Sequence, residues 1–227
     1  MLGETSKKGE NVSKYKFLVL ACLLSLGVSP VYAALVDLYN PGSLGNGSED
    51  TKFQKPLSSA GWFAHYGPTA VLSQATEWSG GFVQGHVALI THAGTANAGN
   101  PYRTNPVLLW TTNFTATADV QSLSEIRFTQ DNPNVAPRLA IRVGGVWFVS
   151  ESTFAMVGKD GKSVVKDFGP TKWTALKFNP GSVMEVQSEP VMVFSDLKGT
   201  LEGVGLFYEK ITDRARLRDI RVRAEIQ

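Results

Sequence analysis

Arg138-Leu-Ala-Ile-Arg-Val143, Gly144-Gly145, Val146-Trp-Phe-Val149 is the stretch on which the fold turns. Leu139, Ile141 and Val143 fall on one side of a period-2 pattern, with Arg138, Ala140 and Arg142 on the other. Such alternation is the mark of a strand with one face toward a core. Two glycines between alternating runs suit a type I′ turn, which needs positive φ at both central residues. The stretch therefore reads as an antiparallel hairpin.

Working outward, the same texture continues from residue 34 to the end. Strands are expected at 34–39, 69–76, 85–91, 106–112, 124–129, 137–143, 146–151, 164–168, 172–178, 191–195, 201–209 and 217–226. A second hairpin is expected around Lys159-Asp160-Gly161-Lys162, and no amphipathic helix of useful length is present. Short strands punctuated by Gly, Pro and Asn within one domain-sized chain imply an all-β two-sheet antiparallel sandwich or a barrel. The polar stretches 40–60 and 92–105 read as long loops, where binding residues commonly sit. In the last strand Ile220, Val222, Ala224 and Ile226 share a face opposite Arg221, Arg223 and Glu225, while Leu217 is out of phase. Either a bulge falls at Arg218-Asp219 or pairing starts there.

Residues 1–33 have a different character. Lys7, Lys8, Lys14 and Lys16 precede the apolar run Phe17–Val28, and Val31-Tyr32-Ala33 places small residues where a signal peptidase reads. This is the order of a helical, Sec-type secretory signal peptide, and the run is too short for a membrane span. The expected organisation is a leader at 1–33 and a single sandwich domain at 34–227, exported to the periplasm, the cell surface or the medium. Leu20-Ala21-Cys22 resembles a lipoprotein cleavage site, but Phe17–Ala21 is short of the roughly 7–15 apolar residues such a leader needs.

The leader also explains the charge balance. The chain has 22 basic and 20 acidic side chains, and removing four Lys and two Glu with residues 1–33 leaves 18 of each. A neutral domain offers no case for nucleic acid or an anionic membrane surface. No membrane insertion is expected after signal removal. The sole cysteine, Cys22, lies in the leader, so the domain has no disulfide and must stand on its core. Export without cysteine fits a bacterial product better than a small disulfide-dense animal domain.

Gly144–Phe154, Trp173–Gly181, Gly203-Val-Gly-Leu-Phe-Tyr208 and the closing Arg216-Leu-Arg-Asp-Ile-Arg-Val222 resemble domains in exported proteins of environmental bacteria. Those domains are jelly-roll sandwiches similar to carbohydrate-binding modules, of galactose-binding-like or concanavalin-like type. The resemblance covers mainly residues 138–226 and implies a jelly roll that binds polysaccharide. In that family the closing strand often carries two acidic or amide residues, whereas here Arg218 stands before Asp219, a departure from any inherited calcium site.

Motifs for catalysis are thin. His65, His86 and His92 are scattered; on one strand His86 and His92 would stand roughly 20 Å apart, too far to share a metal. Glu185 and Glu189 on one strand would be about 13 Å apart, beyond the spacing of glycosidase carboxyl pairs. No Gly-x-Ser-x-Gly elbow occurs, and Gly161-Lys162-Ser163 has Met156 where a phosphate loop needs glycine. A polysaccharide lyase or glycoside hydrolase is the least supported class.

Ligand binding has more to offer. Sugars stack apolar ring faces on indoles and phenols while planar polar groups bind their hydroxyls. Trp62, Tyr66, Trp78 and Tyr102 fall in or beside Gly-, Ser- and Asn-rich segments, with Arg103 and Asn105 nearby. Each aromatic either anchors a loop to the core or offers its face to a sugar. Trp110, Trp147 and Trp173 lie among strand residues and are expected in the core. No cofactor is required; a structural calcium would draw on Asp37, Asp50, Asp131 and Asp219, although turn chemistry alone accounts for acids in loops. The sequence expectation is thus a non-catalytic carbohydrate-binding sandwich, with a structural or surface-associated protein as the alternative.

Overall fold

The computed structural model describes residues 33–40, 55–56, 61–66, 80–83, 86–89, 106–130, 136–154, 162–178, 184–209 and 215–226. These residues are all-β and antiparallel, without an α-helix; none of their segments is a helix long and apolar enough to cross a membrane. The strands are β1 (Ala34–Tyr39), β2 (Lys55–Pro56), β3 (Trp62–Tyr66), β4 (Gly80–Val83), β5 (His86–Leu89), β6 (Val107–Thr111), β7 (Ala118–Asp119) and β8 (Leu123–Gln130). There follow β9 (Arg138–Val143), β10 (Val146–Thr153), β11 (Lys162–Val165), β12 (Lys172–Lys177), β13 (Glu185–Val193), β14 (Thr200–Tyr208) and β15 (Ala215–Ile226).

The hairpin expected around Gly144-Gly145 is β9–β10. Val146 pairs with Val143, and Gly144 and Gly145 have φ of 55° and 83°. A Cβ at either glycine would meet nothing within 4 Å, so the requirement there is backbone conformation alone. From this hairpin an eight-stranded sheet extends in the order β13-β12-β10-β9-β14-β6-β3, with β7 on the free end of β14. A seven-stranded sheet runs β11-β8-β15-β5-β4-β2, and β1 pairs with the C-terminal half of β15.

The two sheets share one core. Leu38, Ile126, Phe128, Ile220 and Val222 of the smaller sheet pack with Trp62, Leu109, Ile141, Trp173 and Leu206 of the larger. Two hydrogen bonds cross the layer: Trp62 Nε1 donates to Tyr39 Oη at 2.7 Å, and Tyr208 Oη donates to Gln130 Oε1 at 2.9 Å. Face-to-face sheets with buried polar groups paired in this way form a β-sandwich. One edge is tied by Gln121, whose side-chain amide donates to the carbonyls of Phe194 (2.8 Å) and Leu197 (2.7 Å), joining two 3-10 turns.

Several strand expectations shift. Strand β11 begins at Lys162 rather than 164 and pairs with β8, not with β10; the turn expected at 159–162 lies, apart from Lys162, outside the described residues. Strand β13 starts at Glu185 rather than 191 and runs through the cis Glu189–Pro190 bond. Proline is tolerated there because β13 is the edge of its sheet, and its register slips between Val186 and Val191. Of the two readings of Arg218-Asp219, the bulge holds: Arg218 pairs with Thr129 and Arg221 with Arg127, one residue more on β15 than on β8. The expected strand at 69–76 lies outside the described residues.

Candidate functional site

Strand pleating gives each sheet a second face, directed away from the shared core. On the larger sheet that face is aromatic. Register places Phe63, Trp110, Gly205, Ala140, Val149 and Thr174 in one row across β3-β6-β14-β9-β10-β12. Gly203, Arg142, Trp147, Leu176 and Val186 form a second row, and His65, Leu108, Phe207 and Arg138 a third. Leu108, Ala140, Trp147, Val149, Leu176, Met184 and Phe207 make a hydrophobic cluster separate from the inter-sheet core, with Trp110, Phe178 and Val186 packed on it.

The glycines of β14 make room for the indoles. A Cβ on Gly205 would stand 2.6 Å from the Leu109 carbonyl oxygen and 3.0 Å from Trp110 Cβ. One on Gly203 would stand 2.9 Å from the Thr111 carbonyl oxygen and 3.2 Å from the tip of Trp147. Phe178 is the hub of the aromatic set. Its ring lies 4.5 Å from His65, 6.1 Å from Trp110 and 6.4 Å from Trp147, each contact edge-to-face. Phe63 stacks on Trp110 at 4.7 Å and 26°. Trp110 and Trp147 meet at 5.8 Å.

Polar groups share this face. Trp110 Nε1 and Thr174 Oγ1 are buried and have no hydrogen-bond partner among the described residues. Such atoms call for an acceptor or donor from outside, a water or a ligand hydroxyl. Arg142 pairs with Glu202 at 3.3 Å, and Glu202 also accepts from the Gly145 backbone N–H at 3.0 Å. Arg138 lies over the Phe207 ring at 5.6 Å, donates to the Ser150 carbonyl and reaches Glu209 at 3.2 Å. The face thus combines flat apolar rings with planar charged groups.

The residues singled out in the sequence are distributed otherwise. Trp62, read as a loop aromatic that either anchors to the core or offers its face to a sugar, lies on β3 with 1% of its surface exposed and its indole N–H bound to Tyr39. It is a core residue, because β3 is a strand whose pleat sends Phe63 and His65 to the outer face and Trp62 toward the other sheet. Of the three indoles expected in the core, Trp173 is there, Trp147 is buried in the separate aromatic cluster, and Trp110 is only half-buried against that cluster. Tyr66 also lies on β3, and its side chain is not among those described. Trp78, Tyr102, Arg103 and Asn105 fall outside the described residues, as do Asp50 and Asp131. Asp219 sits at the β15 bulge, its side chain not described.

Asp37 is not set up as a calcium ligand. Its Oδ1 is 2.7 Å from Arg223 Nε, while Oδ2 accepts from Asn40 Nδ2 at 2.9 Å and lies 3.9 Å from Arg221 Nε. The Asn40 hydrogen bond, then the Arg223 one, hold its carboxyl below the usual range. Two guanidinium groups against one carboxylate repel a further cation. No group of three or more metal-ligating side chains occurs among the described residues.

Sequence reasoning missed the aromatic face, although it leaves a signal there. Val107-Leu-Leu-Trp110 is apolar at consecutive positions, and Trp62-Phe63 is aromatic at two. A strand apolar on both sides is covered on both sides. No protein-family model, curated protein or solved structure matches this chain.

Proposed function

We propose that this chain is an exported protein whose β-sandwich is a jelly roll, and that it binds carbohydrate without converting it on the outer face of the larger sheet. The Lys-rich leader supports export, and the resemblance of residues 138–226 supports the jelly roll. The observation that carries the binding reading is the aromatic set Phe63, Trp110, Trp147 and Phe178 on a sheet face directed away from the core, with Trp110 Nε1 unpaired within it. Pyranose rings present C–H faces to such rings and hydroxyls to such polar atoms. Arg142 and Glu202 supply a paired donor and acceptor at the same face.

The near-complete burial of Trp147, Phe207 and His65 favours a second reading, in which this face is a second core of a structural protein. The test is incubation of the purified protein with a panel of soluble and insoluble polysaccharides. Depletion from the supernatant without release of reducing ends or unsaturated products, weakened at least about fivefold by Trp110→Ala, is the expected result. Product formation would move the protein to the lyase or hydrolase class. Absence of depletion across the panel would leave the structural reading.

A further inference from the structure

The outer face of the smaller sheet has a different chemistry, set by the alternation of β8 and β15. Ile126 and Phe128 point inward from β8, and Ile220 and Val222 from β15, so Glu125 and Arg127 share the outer side with Arg221 and Arg223. Register pairs Arg221 directly with Arg127 and Arg223 with Glu125; Asp37 of β1 stands beside Arg223. Like charges directly opposite one another on paired strands destabilise a sheet.

The two carboxylates nearest in register among the described residues, Asp37 and Glu125, are already engaged. Asp37 is held by Arg223 and Asn40, with Arg221 at the margin at 3.9 Å. Glu125, 7% exposed, lies 3.5 Å from Lys166 Nζ. On the far side of Arg127 the register neighbour is Val164, which offers no side-chain acceptor and is itself 41% exposed. Arg127 consequently has neither ion pair nor hydrogen bond among the described residues, and its Nε is buried without a partner, as is Arg221 Nε apart from that long contact. A desolvated guanidinium nitrogen without an acceptor is costly, and two of them side by side more so.

We propose that Arg127 and Arg221 together bind an oxyanion, the shared chemistry of a free sulfate or phosphate and of a sulfate group carried on a polymer. An oxyanion between the two strands accepts from both buried Nε–H groups and cancels the repulsion across the β8–β15 pair. Guanidinium is suited to this task because its planar fork donates two parallel hydrogen bonds to such a group. The site is independent of the carbohydrate reading, since it lies on the other sheet and uses none of its residues.

The experiment is thermal unfolding of the purified protein titrated with sodium sulfate at ionic strength held constant by sodium chloride. Parallel arms use inorganic phosphate, dextran sulfate and uncharged dextran. A saturable rise in Tm is expected with sulfate or phosphate, in contrast to the unsaturable rise that sulfate gives any protein by exclusion from its surface. Arg127→Gln is expected to fold at least as stably as the parent in chloride, because the like-charge contact is gone. It should bind the anion about tenfold more weakly or worse, the equivalent of one lost charge-assisted hydrogen bond. Arg221→Lys, which keeps the charge and loses the fork, should fall in the same direction, and the 15Nε resonance of Arg127 should shift on titration of the parent. Response to dextran sulfate as well as sulfate assigns a polymer-borne group, and response to the inorganic ions alone assigns a free ion. Only an unsaturable rise, or an equal saturable rise in Arg127→Gln, overturns the proposal.

Discussion

The two outer faces of this sandwich are built by the same pleat and have opposite chemistry. On the smaller sheet, Arg127, Arg221, Arg223, Asp37 and Glu125 stand outward while every second residue of β15 from Ile220 to Ala224 is buried. On the larger sheet, Trp110, Trp147 and Phe207 stand outward and are largely covered, while Leu109, Ile141 and Leu206 fill the shared core behind them. A strand wet on one side alternates; a strand covered on both sides does not. The difference teaches that the larger sheet packs apolar side chains on both of its faces, and the smaller sheet on one.

The largest test of that contrast is truncation on each face. Trp147→Ala should cost about 3–5 kcal/mol, as for a core aromatic, whereas Arg223→Ala should cost under about 1 kcal/mol, measured by chemical denaturation. Equal losses would erase the distinction between the faces. Next in size is Gly205→Val, which drives side-chain atoms into the Leu109 carbonyl and Trp110 and should cost about 1–3 kcal/mol. An unchanged denaturation midpoint would show that β14 does not need its glycine to seat the indole.

A smaller effect concerns the layer common to both faces. Tyr208→Phe removes the hydrogen bond to Gln130 across the sheets and should cost about 1 kcal/mol. Burial pushes the Tyr208 hydroxyl well above its ordinary value, and burial also raises Tyr39 despite the Trp62 hydrogen bond. The folded state therefore keeps both protonated while the unfolded chain ionises, so stability should fall as pH rises above about 10. A Tm flat through that range would contradict it.

The smallest effect belongs to Asp37. Its carboxyl is depressed below the ordinary 3.8 by Asn40 and Arg223, so its contribution is present at neutral pH and lost as pH falls below that value. Asp37→Asn should cost under about 1 kcal/mol at pH 7, because the pair is partly exposed and screened, and should flatten the acid limb of a Tm–pH curve. An acid limb identical to the parent's would remove Asp37 from the account.

The strands legible in the sequence share one property: a single buried face or a decisive turn. The β9–β10 hairpin is legible because Gly144 and Gly145 dictate a turn that other residues resist, and β15 because Arg and apolar residues alternate beyond its bulge. Strand β3 reads as loop because Trp62, Phe63 and His65 are buried or half-buried on both sides, so no period shows. The start of β13 is hidden by Pro190, whose exclusion from sheets relaxes at an edge. The candidate site is the least legible part. Phe178 meets His65, Trp110 and Trp147 only because strands far apart in the chain become neighbours.

Local order alone determined that this chain is made of antiparallel strands and where its clearest turn lies, because period and turn conformation are properties of adjacent residues. It also determined the distinct composition of residues 1–33 and the balanced charge of residues 34–227. Partnership was decided by tertiary structure: that β11 joins β8, that Trp62 serves the core and Trp147 the opposite face, and that Arg127 confronts Arg221. Those outcomes depend on which strands pair and what lies behind each sheet, and no window along the chain contains both members of such a contact.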